Sequence, residues 1–127
     1  MSLCRAKYYF FFKVFNSELY LAAAKRCAEV TWERGVLTKG FSICHGIAGN
    51  ALAILHLYQH TKDPLYMYRA CKFAEIIMDD RPHEFRTPDR PLSLFEGTAG
   101  VIFFLLNLLD PEKSTFPGYQ IESFGKK

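Results

Sequence analysis

The stretch Ile43-Cys44-His45-Gly46-Ile47-Ala48-Gly49-Asn50-Ala51 decides how this chain is read. A weaker copy of it returns as Phe95-Glu96-Gly97-Thr98-Ala99-Gly100-Val101. Gly46 and Gly97 stand 51 residues apart, and so do Gly49 and Gly100. Each copy opens a run that is apolar nearly all round, Ile47 to Tyr58 and Thr98 to Leu109. A helix with no wet face is expected to be buried on several sides. In both copies the first glycine would permit a sharp start to the helix and the second a close backbone approach.

The segments beside these runs are amphipathic. Ser17 is placed to cap a helix in which Leu19, Ala22, Ala23, Cys27, Val30 and Thr31 form the apolar face. Glu18, Lys25, Arg26, Glu29 and Glu33 form its wet face, and Gly35 is expected to end it as a C′ glycine. Asp63-Pro64 combines a capping side chain with proline at the first helical position. A helix from Tyr66 to Met78 follows, with Arg69, Lys72, Glu75 and Asp79 as its polar stripe. Arg81 to Pro91 carries three prolines and several charges and is expected to be a loop, and Asp110-Pro111 closes the last helix.

The order is therefore amphipathic, buried, amphipathic, buried. A repeat of about 50 residues built from one wetted and one buried helix marks an all-α solenoid or toroid, because a single hairpin cannot bury its inner helix alone. Tyr8 to Phe15 reads as the end of an earlier inner helix. The chain then holds about two and a half hairpins and is expected to be a slice of a larger ring.

Composition narrows the function. The chain has 127 residues, 50% of them hydrophobic and 23% charged, which suits one globular domain or a piece of one. A net charge of +3 with no basic stripe argues against nucleic-acid binding. No apolar run is long enough to span a membrane. The start from Arg5 to Phe12 faintly resembles a signal peptide, but Lys13 interrupts it and no small-residue cleavage site follows. Ser2 after Met1 leaves no glycine for myristoylation. The four cysteines, Cys4, Cys27, Cys44 and Cys71, lie mostly in helix-like apolar runs without C-x-x-C spacing. That pattern fits reduced, packed thiols in the cytosol better than a disulfide framework.

Cys44 and His45 carry the chemistry. A thiolate and an imidazole on adjacent residues suit Zn²⁺, although a packed cysteine at a helix start is also ordinary. His56 and His60 are an i,i+4 pair, but they lie roughly 18–24 Å further along a straight helix and cannot share a metal with Cys44. They and His83 are read as non-ligands, and Cys27 and Cys71 as core thiols. Glu96 stands where the repeat has His45, and a carboxylate there would favour the helix dipole. Lys39 reads equally as a solvated lysine or a ligand contact, and Arg86 to Asp89 equally as a turn-forming loop or a binding loop.

Taken together, four motifs resemble the eukaryotic LanC-like proteins, relatives of the bacterial lanthionine cyclases: Gly40 to Ala51, Tyr68-Arg69-Ala70-Cys71-Lys72-Phe73-Ala74-Glu75, Arg86-Thr87-Pro88-Asp89, and Ser93-Leu94-Phe95-Glu96-Gly97-Thr98-Ala99-Gly100. The resemblance runs from roughly Lys13 to Tyr119 and corresponds to about the last third of a family member. It divides residues 1–127, a single partial domain, into a divergent start at 1–12, the matched part, and a tail at 120–127. It implies an α/α toroid with zinc at its centre, held by two cysteines and one histidine with a fourth position open to a substrate thiol. Cys44 and His45 match the second cysteine and the histidine. The first cysteine and the general acid–base residues would fall before residue 1; Cys4 lies downstream of the expected position and lacks the His-Gly that should follow it.

The same resemblance implies glutathione as the thiol substrate, contacted by Lys39, Arg86, Thr87, Pro88 and Asp89. A lysine and an arginine suit its two carboxylates, and Asp89 suits its ammonium. The implied reaction adds the thiol to a dehydroamino acid in a protein, so dehydroamino-acid-containing proteins are the expected partners. Two alternatives stand beside this enzyme reading. One is a non-catalytic glutathione-binding or adaptor protein, and the other a truncated product with an incomplete zinc site. The expected location is the cytoplasm, including peripheral attachment at the plasma membrane.

Overall fold

The structure, a computed structural model, describes residues 14–79 and 87–118. Four α-helices occupy these residues: α1 (Glu18–Arg34), α2 (Ile47–Thr61), α3 (Pro64–Ile77) and α4 (Thr98–Leu109), followed by a 3₁₀ turn at Pro111–Lys113. Among the described residues there is no strand. Helix α2 is the hub. It packs most extensively on α3 and also touches α1, α4 and the 3₁₀ turn. Amphipathic and apolar helices alternate as the sequence pattern requires, which is the layering of an α/α toroid.

Helix α2 is buried at ten of its fifteen residues, with Ile47, Leu52, Ile54 and Leu55 inaccessible or nearly so. It ends at Lys62, which takes a left-handed conformation (φ 56°) and donates its backbone N–H to Tyr58 O. Asp63 then caps α3, accepting from Leu65 N at 2.9 Å, with Pro64 in the first turn as expected. Phe73 and Ala74 from α3 and Phe104 from α4 complete the core around α2. Gln59 Nε2 donates to Glu112 O (2.6 Å) within the 3₁₀ turn and to Ser114 O (3.2 Å) just after it. Phe116 lies over His56, whose Nδ1 is 2.8 Å from Leu52 O.

Several expectations change. The buried face of α1 is Leu21, Ala24, Ala28 and Thr31, whereas Leu19 and Val30 are exposed. Two small-residue stripes run along this helix, and periodicity alone does not choose between them. The choice is made by a tertiary contact: Glu29, next to Ala28, takes both terminal guanidinium nitrogens of Arg69 at 2.7 Å. Arg69 is accordingly not part of a solvated stripe. Its side chain is 9% exposed and lies over the Trp32 ring, 5.3 Å from the centroid. Gly35 does end α1, but in a right-handed conformation (φ −83°) rather than as a left-handed C′ residue. Its carbonyl is taken by Asn50 Nδ2 at 2.8 Å. Ser17 sits at the N-cap without a side-chain cap bond. Cys27 and Cys71 are half-buried rather than fully packed.

Helix α4 departs furthest from expectation. Only Gly100 and Phe104 are buried in it, while Ile102, Leu106 and Leu109 are 53%, 60% and 83% exposed. Fifty-one positions earlier, Ala51 and Leu55 are completely buried. The two helices share a sequence pattern and differ in what lies beside them among the described residues. Among those residues, no helix is long and apolar enough to cross a membrane. Of Tyr8 to Phe15, the expected end of an earlier inner helix, only Val14 and Phe15 are described, and both are helical; Tyr8 to Lys13 lie outside the described residues.

Candidate functional site

The site is built on the loop that leads into α2. Leu37 to Gly40 make a turn, with Gly40 in the left-handed region (φ 102°) that suits a residue without Cβ. The chain then folds back over the start of α2. Gly46 N and Gly49 N donate to Ser42 O, Ile47 N to Gly40 O and Ala48 N to Phe41 O, at 3.1–3.3 Å. The N–H groups that a helix start leaves unpaired are thus satisfied by loop carbonyls, and α2 needs no side-chain cap. The fold-back demands glycine at 46 and 49 for space, not for conformation. Gly46 is in an extended conformation (φ −118°). A Cβ on Gly49 would run into the Ile43 carbonyl, and one on Gly46 into Ser42 N and Gly40 O.

The same construction recurs before α4. Gly97 N donates to Ser93 O at 3.0 Å and Thr98 N to Pro91 O at 2.8 Å. A Cβ on Gly100 would meet Leu94 O. His45 N donates to Ser42 Oγ (3.4 Å), and Glu96 N to Ser93 Oγ (3.1 Å). The 51-residue repeat therefore holds in these three bonds, with Glu96 in the place of His45, while Gly100 N turns to Gly97 O where Gly49 N reaches Ser42 O. The two loops also touch: Cys44 N donates to Phe95 O at 3.0 Å.

This contact gathers the side chains. Cys44 is half-buried and His45 exposed, with Cys44 Sγ 2.9 Å from His45 Nδ1 and 3.8 Å from Ser42 Oγ. They open on a cavity of about 250 Å³ lined by Lys39, Ser42, Cys44, His45, Pro88, Asp89 and Glu96. Five of the seven residues singled out from the sequence, Lys39, Cys44, His45, Pro88 and Asp89, thus meet in one place. Thr87 is exposed and not among the residues lining the cavity, and Arg86 lies outside the described residues. His56 and His60 sit in the body and last turn of α2, away from the cavity, and His83 lies outside the described residues.

The donors fit zinc in kind. A thiol and an imidazole lie side by side at the cavity wall, and both are ordinary zinc ligands. Two donors are fewer than the three protein ligands of a catalytic zinc. Among the described residues, no group of three or more His, Cys, Asp or Glu side chains is placed to hold a metal ion. Asp89 and Glu96 share the cavity but do not complete such a group.

Three residues matter here that carry only weak signals in the sequence. Ser42 supplies both the Oγ and the backbone carbonyl that organise the loop, and its spacing from Ser93 was the available signal. Asn50 ties the end of α1 to α2 through Gly35 O, a contact across fifteen residues that no local pattern announces. Glu96 reaches the cavity because Phe95 pairs with Cys44, which follows from the packing of the two copies.

A helical repeat of this kind, with a Cys-His pair at the start of an inner helix, defines a protein class. A model of the lanthionine synthetase C-like proteins matches residues 2–121, and the chain belongs to that family. Among curated relatives it is similar to glutathione S-transferase LANCL1 of Danio rerio, with 52% identity over 110 residues. The match covers 87% of this chain and 27% of the relative, so the chain spans about a quarter of that protein's length.

Proposed function

We propose that this chain forms one wall of a zinc-dependent site that binds glutathione and transfers its thiol to dehydroamino acids in proteins. The observation that carries the reading is the single cavity shared by Cys44, His45, Lys39, Pro88 and Asp89. The name of the zebrafish relative, a glutathione S-transferase, agrees with it.

In this reading Cys44 and His45 hold two positions of a zinc ion whose remaining protein ligand comes from outside the described residues. When bound, zinc lowers the pKa of a coordinated thiol and holds it as the thiolate. The chain's own residues bind and orient the thiol's carrier. Lys39 faces the cavity as a cation for a glutathione carboxylate, and the Pro88-Asp89 segment bounds the other part of the ligand. In the reaction the sulfur forms a bond to the β-carbon of dehydroalanine or dehydrobutyrine. The π electrons move to the α-carbon and carbonyl, and a proton then completes the α-carbon. No described residue is assigned to that proton.

The second reading is a glutathione-binding module without turnover, which needs only the ligand contacts offered by Lys39, Pro88 and Asp89 at the cavity. Calorimetric titration of the full protein with glutathione, beside the Lys39→Gln variant, tests the part common to both readings. Saturable binding weakened about tenfold in the variant, as for loss of one charge-assisted hydrogen bond, supports it. Absence of binding to the wild-type protein overturns it.

A further inference from the structure

The cavity carries one charge that the proposed function does not use. Glu96 is half-buried in its wall, and among the described residues its carboxylate has no hydrogen bond or ion pair. Lys39, exposed and also in the lining, is likewise without a partner for its ammonium among the described residues. Asp89, the residue that the sequence pattern offers to a ligand ammonium, already has an interaction within the chain. Among the described residues the cavity thus presents an exposed cation and a half-buried carboxylate, each without a partner, and this pair matches a zwitterion, since a half-buried charge gains most from a partner of opposite sign. Glu96 is also firmly placed. Its backbone N–H is bonded to Ser93 Oγ, and the residue before it is bonded to Cys44 N. The carboxylate is therefore carried on the loop that sets the position of the Cys44 backbone.

We infer that Glu96 receives the free ammonium of the ligand and makes the site selective for thiols that carry an α-amino group. This rests on the glutathione reading above. Lys39 then takes a carboxylate, and the two charges fix the ligand's direction in the cavity so that its thiol faces Cys44 and His45. Glu96 is a specificity residue in this assignment and takes no part in bond making.

The test uses the full protein and two probes: glutathione, and glutaryl-cysteinyl-glycine, which lacks only the ammonium. Calorimetry on wild type is expected to give about tenfold tighter binding of glutathione, the worth of one charge-assisted hydrogen bond. Glu96→Gln, nearly isosteric, is expected to bind both probes alike, with affinity for the glutaryl analogue unchanged. Glu96→Asp, which keeps the charge on a shorter arm, is expected to retain part of the preference, and Asp89→Asn all of it. If Glu96→Gln keeps the tenfold preference, or Asp89→Asn abolishes it, the assignment to Glu96 is overturned while glutathione binding stands. A wild type that binds both probes equally overturns it as well. If wild type binds neither probe, the glutathione reading fails and this inference falls with it.

Discussion

Replacing Gly49 by alanine should displace the loop that carries Cys44 and His45, and the cost can be worked from the packing. The new methyl group would point at the Ile43 carbonyl, well inside contact distance. Neither side can yield cheaply. Ile43, Ile47 and Ala48 are all completely buried, and Ile43 also packs against Gly100, where a Cβ would lie 2.9 Å from Ile43 Cγ1. The loop would have to lift, lengthening the bonds from Ile47, Ala48 and Gly49 to the carbonyls of residues 40 to 42. Overpacking a close-packed site typically costs 1–3 kcal/mol, and loss of loop hydrogen bonds puts Gly49→Ala at about 3 kcal/mol. For a domain of this size that corresponds to a fall in Tm of roughly 10 °C. Gly118→Ala is the control: its φ is 83°, but among the described residues a Cβ there meets nothing within 4 Å. Backbone strain alone should cost it about 1 kcal/mol. The assay is thermal unfolding followed by circular dichroism. If Gly49→Ala melts within roughly 2 °C of wild type, or above Gly118→Ala, the fold-back construction of the loop is wrong.

Other consequences are equally direct. Among the described residues Asn50 Oδ1 has no hydrogen-bond partner and its Nδ2 binds Gly35 O, so Asn50→Asp sets a carboxylate against a carbonyl. This variant should lose about 2 kcal/mol in chemical denaturation at neutral pH and recover part of it where the carboxyl is protonated; equal stability to wild type would refute the tie. The Arg69 guanidinium bonded to Glu29 holds the Glu29 carboxyl below the usual carboxylate range. A carboxyl whose folded pKa is depressed stabilises fully above its unfolded pKa, about 4.3, and loses that contribution as pH falls through the folded pKa. The gap in Tm between wild type and Glu29→Gln should therefore close between neutral pH and pH ~3; a constant gap would show that the ion pair does not stabilise the fold. The exposed Ile102, Leu106 and Leu109 form an apolar stripe on α4, and the 127-residue chain expressed alone should self-associate. A monodisperse, cooperatively melting monomer in ultracentrifugation would contradict this.

Much of the fold was legible in the sequence because its signals were local and doubled. Asp63-Pro64 fixed the start of α3, and the span Thr98 to Leu109 matched α4 residue for residue, since cap chemistry and apolar runs act within a few residues. The repeat placed the glycines correctly, although space rather than backbone freedom explains Gly46 and Gly97. What was missed is tertiary. The rotation of α1 is set by Glu29 meeting Arg69 across 40 residues, and a charged residue on an amphipathic helix carries no mark of being buried. Thr87 is not in the cavity lining and Arg86 lies outside the described residues, but of the residues that line the cavity, Lys39, Cys44, His45, Pro88 and Asp89 belong to motifs visible in the sequence. Ser42 and Glu96 join them because the two copies pack loop to loop, a contact between repeats that no single copy encodes.

The central claim is that Cys44 and His45 are half of a zinc site facing a ligand cavity. Zinc content of the purified full protein by inductively coupled plasma mass spectrometry, beside Cys44→Ala and Cys27→Ala, tests it most directly. The expected result is stoichiometric zinc in wild type, retained in Cys27→Ala and lost in Cys44→Ala. A wild-type protein free of zinc after loading, or zinc retained without Cys44, would contradict it.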